Sequence, residues 1–488
     1  MKQLSLYINV IQDFIVSKFI TELVPIGNIV NNSSKIIPGD LFVAIKGSVS
    51  DGHNYIDDAI SRGAQTIIHT AAVTHHPAIN YIQVTDIYRV YALLSEFFYD
   101  YPSKNFNLCG VTGTNGKTTT AFLLKSLLQS SNRFCGLIST VEYSCGEEVQ
   151  VASRTTPEAN DLQLLFTSMA NAGCRDVVME VSSHGLDQNR TASAEFRVGI
   201  FTNLSGDHLD YHGNMEQYFK VKKLLFTEAL AANGTAIINI DDSYGSRIAN
   251  ELTVSMLTYG RHDGSDCRIK CIKSSINETQ IDLEIGGKNL TLFSSLIGDY
   301  NAYNITATAL AAYSLGIDLT LIREHFCRGA VHNVPGRLEM FHSLNGVTVF
   351  VDYAHTDDAL KNVLETLKPL TEGRLIVVFG CGGDRDVTKR HRMGEVASLL
   401  ADIVVITSDN PRTENPQEII RQIQCGVTKS SSTRVVEDRK LAITEAIRIA
   451  KAGDVVLVAG KGHEAYQEVN GVFHDSDDRV IVAALCQA

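Results

Sequence analysis

The stretch Gly110-Val-Thr-Gly-Thr-Asn-Gly-Lys-Thr-Thr-Thr120 combines glycines, a lysine and hydroxyls at the spacing a phosphate needs. The apolar run Phe106–Val111 reads as a buried strand before it, and Ala121–Leu128 has the apolar spacing of a helix after it. A strand, a glycine turn and a helix start turn backbone N–H groups and the positive helix end toward an anion. Gly113, Thr114, Asn115, Gly116, Lys117, Thr118 and Thr119 would line that cradle, with Lys117 as a point charge and Thr118 as a Mg²⁺ ligand. The full phosphate-loop pattern also wants glycine where Val111 stands, so the match is to the shorter Gly113-x-x-Gly116-Lys117-Thr118. ATP is the expected ligand.

Phosphoryl chemistry also needs metal ligands and charge near the terminal phosphates. Glu180 closes one expected strand and His208 follows another. Lys220, Lys222 and Lys223 fall in the helical pattern Met215–Phe226, and their spacing alone reads as a solvated face. Further on, Asp409-Asn-Pro-Arg412, Gly380-Cys-Gly-Gly-Asp-Arg385 and Gly460-Lys-Gly-His-Glu464 each follow an expected strand. Two arginines for carboxylates and one glutamate for an ammonium would make an amino-acid pocket.

These groups need scaffolds. Residues 1–104 carry short strands such as Leu41–Ile45 and Gln65–His69, ending in a linker at Tyr101-Pro-Ser-Lys104. In residues 105–337 strands at Asp176–Glu180, Val198–Asn203 and Thr235–Asn239 alternate with helices, as in a mainly parallel sheet. Val334-Pro-Gly-Arg337 marks the next boundary. In residues 338–488 strands at Val347–Asp352, Leu375–Gly380, Ile403–Thr407 and Asp454–Ala459, with a helix at Leu441–Ala450, predict a doubly wound, Rossmann-like sheet. Ligands of such sheets sit beyond the strands' carboxyl ends, where the polar motifs fall. The fold class is therefore α/β in three domains.

A chain of 488 residues with 44% hydrophobic and 20% charged residues is globular and too long for one ordinary core. Its net charge of −12 argues against nonspecific nucleic-acid binding. No apolar run approaches a membrane span, and the first twenty residues lack the features of a secretory leader. The ten cysteines include no Cys-x-x-Cys pair and read as buried thiols of a cytoplasmic protein.

Taken together, these motifs resemble the Mur ligase family, ATP-dependent amide-forming enzymes of peptidoglycan precursor synthesis, over nearly the whole chain. The segments Asp352-Tyr-Ala-His-Thr356, Gly380–Asp386, Asp409–Arg412 and Gly460–Glu464 carry the likeness furthest. It implies an N-terminal UDP-sugar-binding domain, a central ATPase domain and a C-terminal amino-acid domain in a cytoplasmic monomer. The implied substrates are ATP, a UDP-muramoyl-L-Ala-D-Glu dipeptide and meso-diaminopimelate, with Mg²⁺ as cofactor. Gly113–Thr119, Asn301, Arg337 and Asp352 match nucleotide contacts, and Glu180 and His208 match metal ligands. Lys222 matches a lysine that the family carbamylates, which would make it a further Mg²⁺ ligand. Lys117, Glu180, His208 and Lys222 form the implied catalytic set. Ser33, Thr155, Thr156, Ser182, Gln188 and Arg190 match positions that grip the UDP-muramoyl dipeptide. Arg385, Asp409, Asn410, Pro411, Arg412, Gly460 and Glu464 match diaminopimelate contacts, and Arg412 favours that amino acid over lysine, which has no distal carboxylate. Where the family has Asp-Ser-Arg before Pro-Gly-Asp-Leu-Phe, this chain reads Asn32-Ser33-Ser34, so the arginine is absent. Two other readings share the phosphate loop: a ligase for another substrate, such as a folylpolyglutamate synthetase, and a nucleotide-gated switch that hydrolyses ATP without a coupled product.

Overall fold

In the computed structural model, residues 1–47, 50–428 and 432–487 are described. The chain forms two compact units, one of residues 1–268 with 306–322, the other of residues 269–305 with 323–488. Among the described residues no helix is long and apolar enough to cross a membrane.

Among the described residues the first unit holds two large sheets, besides the short antiparallel pair Lys2–Gln3 with Pro25–Ile26. The N-terminal one runs in the order Ile15–Phe19, Asn80–Val84, Thr66–His69, Leu41–Val43, Ile29–Val30, parallel except for its first strand. In the other sheet Asn107–Thr112 is flanked on both sides by parallel strands, Asp176–Glu180 and Phe196–Phe201. Cys109, Val111, Val178 and Ile200 are fully buried, the burial a strand covered on both faces requires. The parallel run continues through Leu230–Asn239 to Met256–Gly260 on one side and through Cys135–Ile138 on the other. Glu142–Cys145 and Glu148–Val151 then add an antiparallel edge that the strand–helix rhythm does not announce. Register sets Glu180 beside Val111 and Phe201 beside Thr112, so Glu180, the glycine loop and Thr202-Asn203 leave the sheet along one rim.

The expected linker at Tyr101–Lys104 is not open chain. Pro102–Asn105 forms a 3₁₀ turn with Pro102 and Ser103 buried, entered through a left-handed Tyr101 at φ 57°. Proline at the first turn position has the φ that such a turn needs.

In the second unit a six-stranded sheet runs Glu339–His342, Thr348–Asp352, Val455–Ala459, Leu375–Phe379, Ile403–Ile406, Thr433–Val435, parallel except for its first strand. Alternate residues feed two cores. Val349, Val351, Ile376, Val378, Val456 and Val458 pack with Ala442, Ile443 and Ala446 of the helix Arg439–Ile449. Phe350, Val377, Phe379, Val404 and Leu457 pack with Leu360, Leu364, Met393 and Ile420 from helices on the other face. This is the doubly wound arrangement expected from the sequence. An antiparallel pair, Thr279–Ile285 with Lys288–Ser294, also belongs to this unit.

All ten cysteines are free, but Cys327 and Cys425 are exposed, so the expectation of buried thiols holds for only part of the set.

Candidate functional site

At the rim of the first unit's central sheet, Gly113 takes φ 144° and Gly116 φ 87°. A Cβ on Gly113 would run into the Thr202 hydroxyl, so the loop's closeness to its neighbouring strand requires glycine there. Thr114 N–H donates to the Asn203 carbonyl at 2.9 Å, and Asn115 N–H donates to Asn203 Oδ1 at 3.0 Å. The Thr202 hydroxyl donates to the Asn115 carbonyl at 2.6 Å. Thr202-Asn203 thus clamps the loop, and the helix Lys117–Ser130 begins at its end. The first N–H groups of a helix have no intrahelical acceptor, which suits this start to an anion.

Lys117 Nζ donates to the carbonyls of Gly113 at 3.0 Å and Thr114 at 2.8 Å. Lys222 Nζ donates to the same Gly113 carbonyl at 2.8 Å and lies 4.7 Å from the Tyr218 ring centroid. Lys222 is 1% exposed, which corrects the reading of its helix face as solvated. The face turned inward by the helix Met215–Thr227 carries Tyr218, Phe219, Lys222, Leu225 and Phe226, while Lys220 points outward. The i, i+3, i+4 spacing of Lys222 from those aromatics was legible, but a charged residue masked it. Burial, and then the nearby Lys117, push the Lys222 ammonium well below its ordinary value, so its amine is neutral far more readily than a surface lysine's.

Glu180 is fully buried. Its carboxylate accepts from the Thr118 hydroxyl at 3.1 Å, the Thr140 N–H at 2.8 Å and the Thr140 hydroxyl at 3.1 Å. His208 is half-exposed at φ 54°, with its ring 5.0 Å from that of His184. The structure therefore groups the glycine loop, Lys117, Thr118, Glu180, His208 and Lys222. Among the described residues no group of three or more His, Cys, Asp or Glu converges as a ready-made metal cluster.

Beside this rim lies a cavity of about 420 Å³ lined by Thr155, Thr156, Ser182, Gln188, Arg190 and His208, together with Arg154, His184 and Tyr211. Arg190 donates to the Thr156 carbonyl at 2.8 Å and to Gln188 Oε1 at 2.6 Å, and pairs with Glu158 at 2.9 Å. The Thr156 hydroxyl donates to the Glu180 carbonyl at 2.9 Å, and the Thr140 and Thr155 hydroxyls are 3.1 Å apart. Glu180 is thus shared between the loop and the cavity wall. The sequence reading missed three lining residues. His184 adjoins Ser182-Ser183, but Arg154 and Tyr211 gave no signal of their own. Burial, with His208 next, pushes the His184 imidazole down to about 4. Ser33 sits elsewhere, as the buried residue of the 3₁₀ turn Ser33–Lys35 beside Asp58, and does not line this cavity.

The second unit gathers another set. Asn410 Nδ2 donates to Glu464 Oε2 at 2.8 Å, and the Tyr353 hydroxyl donates to Glu464 Oε1 at 3.3 Å. Burial and the nearby Asp409 raise the Glu464 carboxyl above its ordinary value. Arg412, at φ 52°, donates from Nη1 to the Gly383 carbonyl at 2.7 Å and pairs through Nε with Glu468 at 3.0 Å. The sequence reading did not foresee Glu468, which arrives on the hairpin Tyr466–Val469 with Val472–Asp475. Gly460, at φ 116°, carries no Cβ because one would meet Asp409 Oδ2 at 2.7 Å. Pro411 is buried within the turn. Arg385 is exposed, and among the described residues its side chain bonds only locally, to the Asp384 carbonyl at 3.0 Å.

Asp352 ends the strand Thr348–Asp352 and accepts from the N–H groups of Leu338 at 2.7 Å and Ala354 at 2.9 Å. The Arg337 guanidinium lies 4.7 Å from the Tyr353 ring centroid. Asn301 is buried, bonded to the Ile297 carbonyl at 2.9 Å and to Asn304 at 3.2 Å, so its side chain is committed to its own stretch of chain.

Comparison with known proteins bears on the whole chain. Residues 25–98 match the Mur ligase family catalytic domain, 111–312 the Mur ligase middle domain, and 336–462 the Mur ligase glutamate ligase domain. The UDP-N-acetylmuramoyl-L-alanyl-D-glutamate–2,6-diaminopimelate ligase of Alkaliphilus metalliredigens is 42% identical over 454 residues, 92% of this chain and 90% of that protein. The chain belongs to the Mur ligase family. Its counterpart from Clostridioides difficile is 43% identical over 465 residues, 94% of each chain. A solved structure of a ligase of the same name is 32% identical, with a TM-score of 0.69 over 95% of each chain. The three-domain α/β architecture expected from the sequence is that of a Mur ligase.

Proposed function

We propose that this Mur ligase uses ATP to join meso-2,6-diaminopimelate to the D-Glu γ-carboxylate of UDP-N-acetylmuramoyl-L-Ala-D-Glu. The relatives named above carry that activity in their names. The choice of amino acid rests on two groups in the second unit, Arg412, held by the Gly383 carbonyl and Glu468, and Glu464, held by Asn410. A guanidinium fork for a carboxylate beside a carboxylate for an ammonium suits the second amino-acid centre of diaminopimelate, which lysine lacks.

The reaction runs in three stages. The D-Glu γ-carboxylate takes the terminal phosphoryl group of ATP, leaving ADP and an acyl phosphate. An uncharged amine of diaminopimelate attacks the acyl carbon, and the tetrahedral intermediate expels phosphate. The glycine loop and Lys117 hold the phosphoryl oxygens, and Thr155, Thr156, Ser182, Gln188 and Arg190 hold the UDP-muramoyl dipeptide. The hydroxyl of Thr118, the carboxylate of Glu180 and the imidazole of His208 would hold Mg²⁺, and the 3.1 Å contact of the first two puts hard oxygen donors side by side as that ion prefers. Bound Mg²⁺ supplies charge neutralisation to the phosphoryl oxygens. Lys222 is suited to carbamylation because only the neutral amine attacks CO₂, releasing a proton and leaving an anionic oxygen ligand where a cation stood. The work is cytoplasmic and needs no partner protein, with residues 1–104, 105–337 and 338–488 serving the nucleotide sugar, ATP and amino acid in turn.

The test is product mass and phosphate release with ATP, Mg²⁺ and the UDP-muramoyl dipeptide, offering meso-diaminopimelate or lysine. Tripeptide should form with diaminopimelate and far more slowly with lysine. No tripeptide, or equal use of both amino acids, would sink the proposal.

A further inference from the structure

Beneath the Asp409–Arg412 and Gly460–Glu464 loops lies an ion pair that the reaction does not use. Arg439 opens the helix Arg439–Ile449 and Asp478 opens the helix Asp478–Gln487. Arg439 is 2% exposed and Asp478 fully buried. The contact is bidentate: Nε donates to Oδ1 at 2.8 Å and Nη2 to Oδ2 at 2.7 Å. The same guanidinium reaches two strand ends, with Nη2 donating to the Ala459 carbonyl at 2.9 Å and Nη1 to the Ser408 carbonyl at 3.5 Å.

Those two carbonyls stand immediately before Gly460 and Asp409, where the two loops begin. One planar group therefore ties the roots of both loops to each other and to two helix starts. Its positive charge also lies within electrostatic reach of Asp409 and Glu464. A buried ion pair is no more stabilising, as a rule, than apolar side chains of the same size. An apolar side chain, however, leaves both carbonyls without this donor and lets the loops separate. Lysine carries the charge but lacks the planar fork that reaches Asp478 and the carbonyls together.

We infer that Arg439, oriented by Asp478, is a positioning residue that fixes the spacing of the Asp409–Arg412 and Gly460–Glu464 loops and thereby the affinity for the incoming amino acid. The kinetic part of this inference rests on the function proposed above; the structural part does not.

The experiment uses the full chain with Arg439→Met, Arg439→Lys and Asp478→Asn. Asp478→Asn keeps the shape of the site and carries the test if Arg439→Met does not fold. Hydrogen exchange should quicken at the amides of both loops while the strands Thr348–Asp352 and Leu375–Phe379 stay protected. KM for diaminopimelate should rise about tenfold or more, as expected when a binding group shifts by a fraction of an ångström, with KM for ATP within about twofold of the parent. Arg439→Lys should fall between parent and Arg439→Met. Folded variants with unchanged loop exchange and unchanged KM for diaminopimelate overturn the inference. If the parent itself fails to use diaminopimelate, the functional reading fails and loop exchange alone decides the positioning role.

Discussion

Lys117 and Lys222 both donate to the carbonyl of Gly113, which brings two amine groups close together, and Lys117 also donates to the Thr114 carbonyl. Burial first, and the nearby Lys117 next, favour loss of a proton from Lys222. Labelled ¹³CO₂ should therefore give a carbamate signal in the parent that is missing in Lys222→Ala; a parent without the signal would remove the modification. Lys117→Ala removes the phosphoryl contact proposed for this side chain and should lower kcat by about 10²–10³, the usual loss for one electrostatic donor, read as ADP formation. Arg412→Ala removes the fork and also strands Glu468. Truncating one partner of a hydrogen-bonded charge pair costs about 2–5 kcal/mol, so KM for diaminopimelate should rise by more than about tenfold while that for ATP holds. An unchanged KM for diaminopimelate would take Arg412 out of the pocket.

At the scale of elements, the helix Met215–Thr227 owes its start to Asn214, whose side chain accepts from the Gln217 N–H at 3.0 Å. Asn214→Ala should cost about 1 kcal/mol, seen as a lower Tm, because one of the helix's orphan donors goes unmet. The glycine loop tests a different constraint. Gly113→Ala brings a methyl against the Thr202 hydroxyl that clamps the loop, at a φ of 144° that side chains avoid. The variant should lose ATP binding in calorimetry, and retained binding would show that the clamp yields. The expected strand starts and ends moved by a few residues in the structure, as at Val198–Asn203, observed as Phe196–Phe201, because pairing with neighbours decides the ends. The antiparallel edge Glu142–Val151 escaped notice because its residues face solvent more than core and carry no long apolar run.

For the whole molecule, pH is the revealing variable. His184, His325 and His463 are pushed down to about 4, about 4 and about 3, in each case chiefly by burial. As pH falls from 6.5 toward 4, the unfolded chain takes up protons on these histidines that the folded chain refuses, so stability falls with acidification. Glu96, raised by burial to about 7, acts the other way by binding its proton first in the folded state, as do Asp40, Asp352 and Glu464, but His69, His208, His212, His332 and His355 are also pushed down by burial and keep the histidines in the majority. Calorimetry should give a lower Tm at pH 5 than at pH 7.5, and a higher Tm at pH 5 would show that the buried carboxyls govern instead.

The glycine loop, Glu180, the doubly wound sheet and the two loops that gather Asn410, Arg412 and Glu464 were legible in the sequence, because apolar runs, glycine turns and residues at strand ends are local signals. The tertiary structure alone decided which polar residues lie inside. Lys222 is dry because Tyr218, Phe219, Leu225 and Phe226 surround its side of the helix and Gly113 receives its amine. Arg439 gave no local signal at all, since its partners at Ser408, Ala459 and Asp478 lie 31, 20 and 39 residues away along the chain. Burial of a charge depends on what folds over it, and distant segments supply that cover.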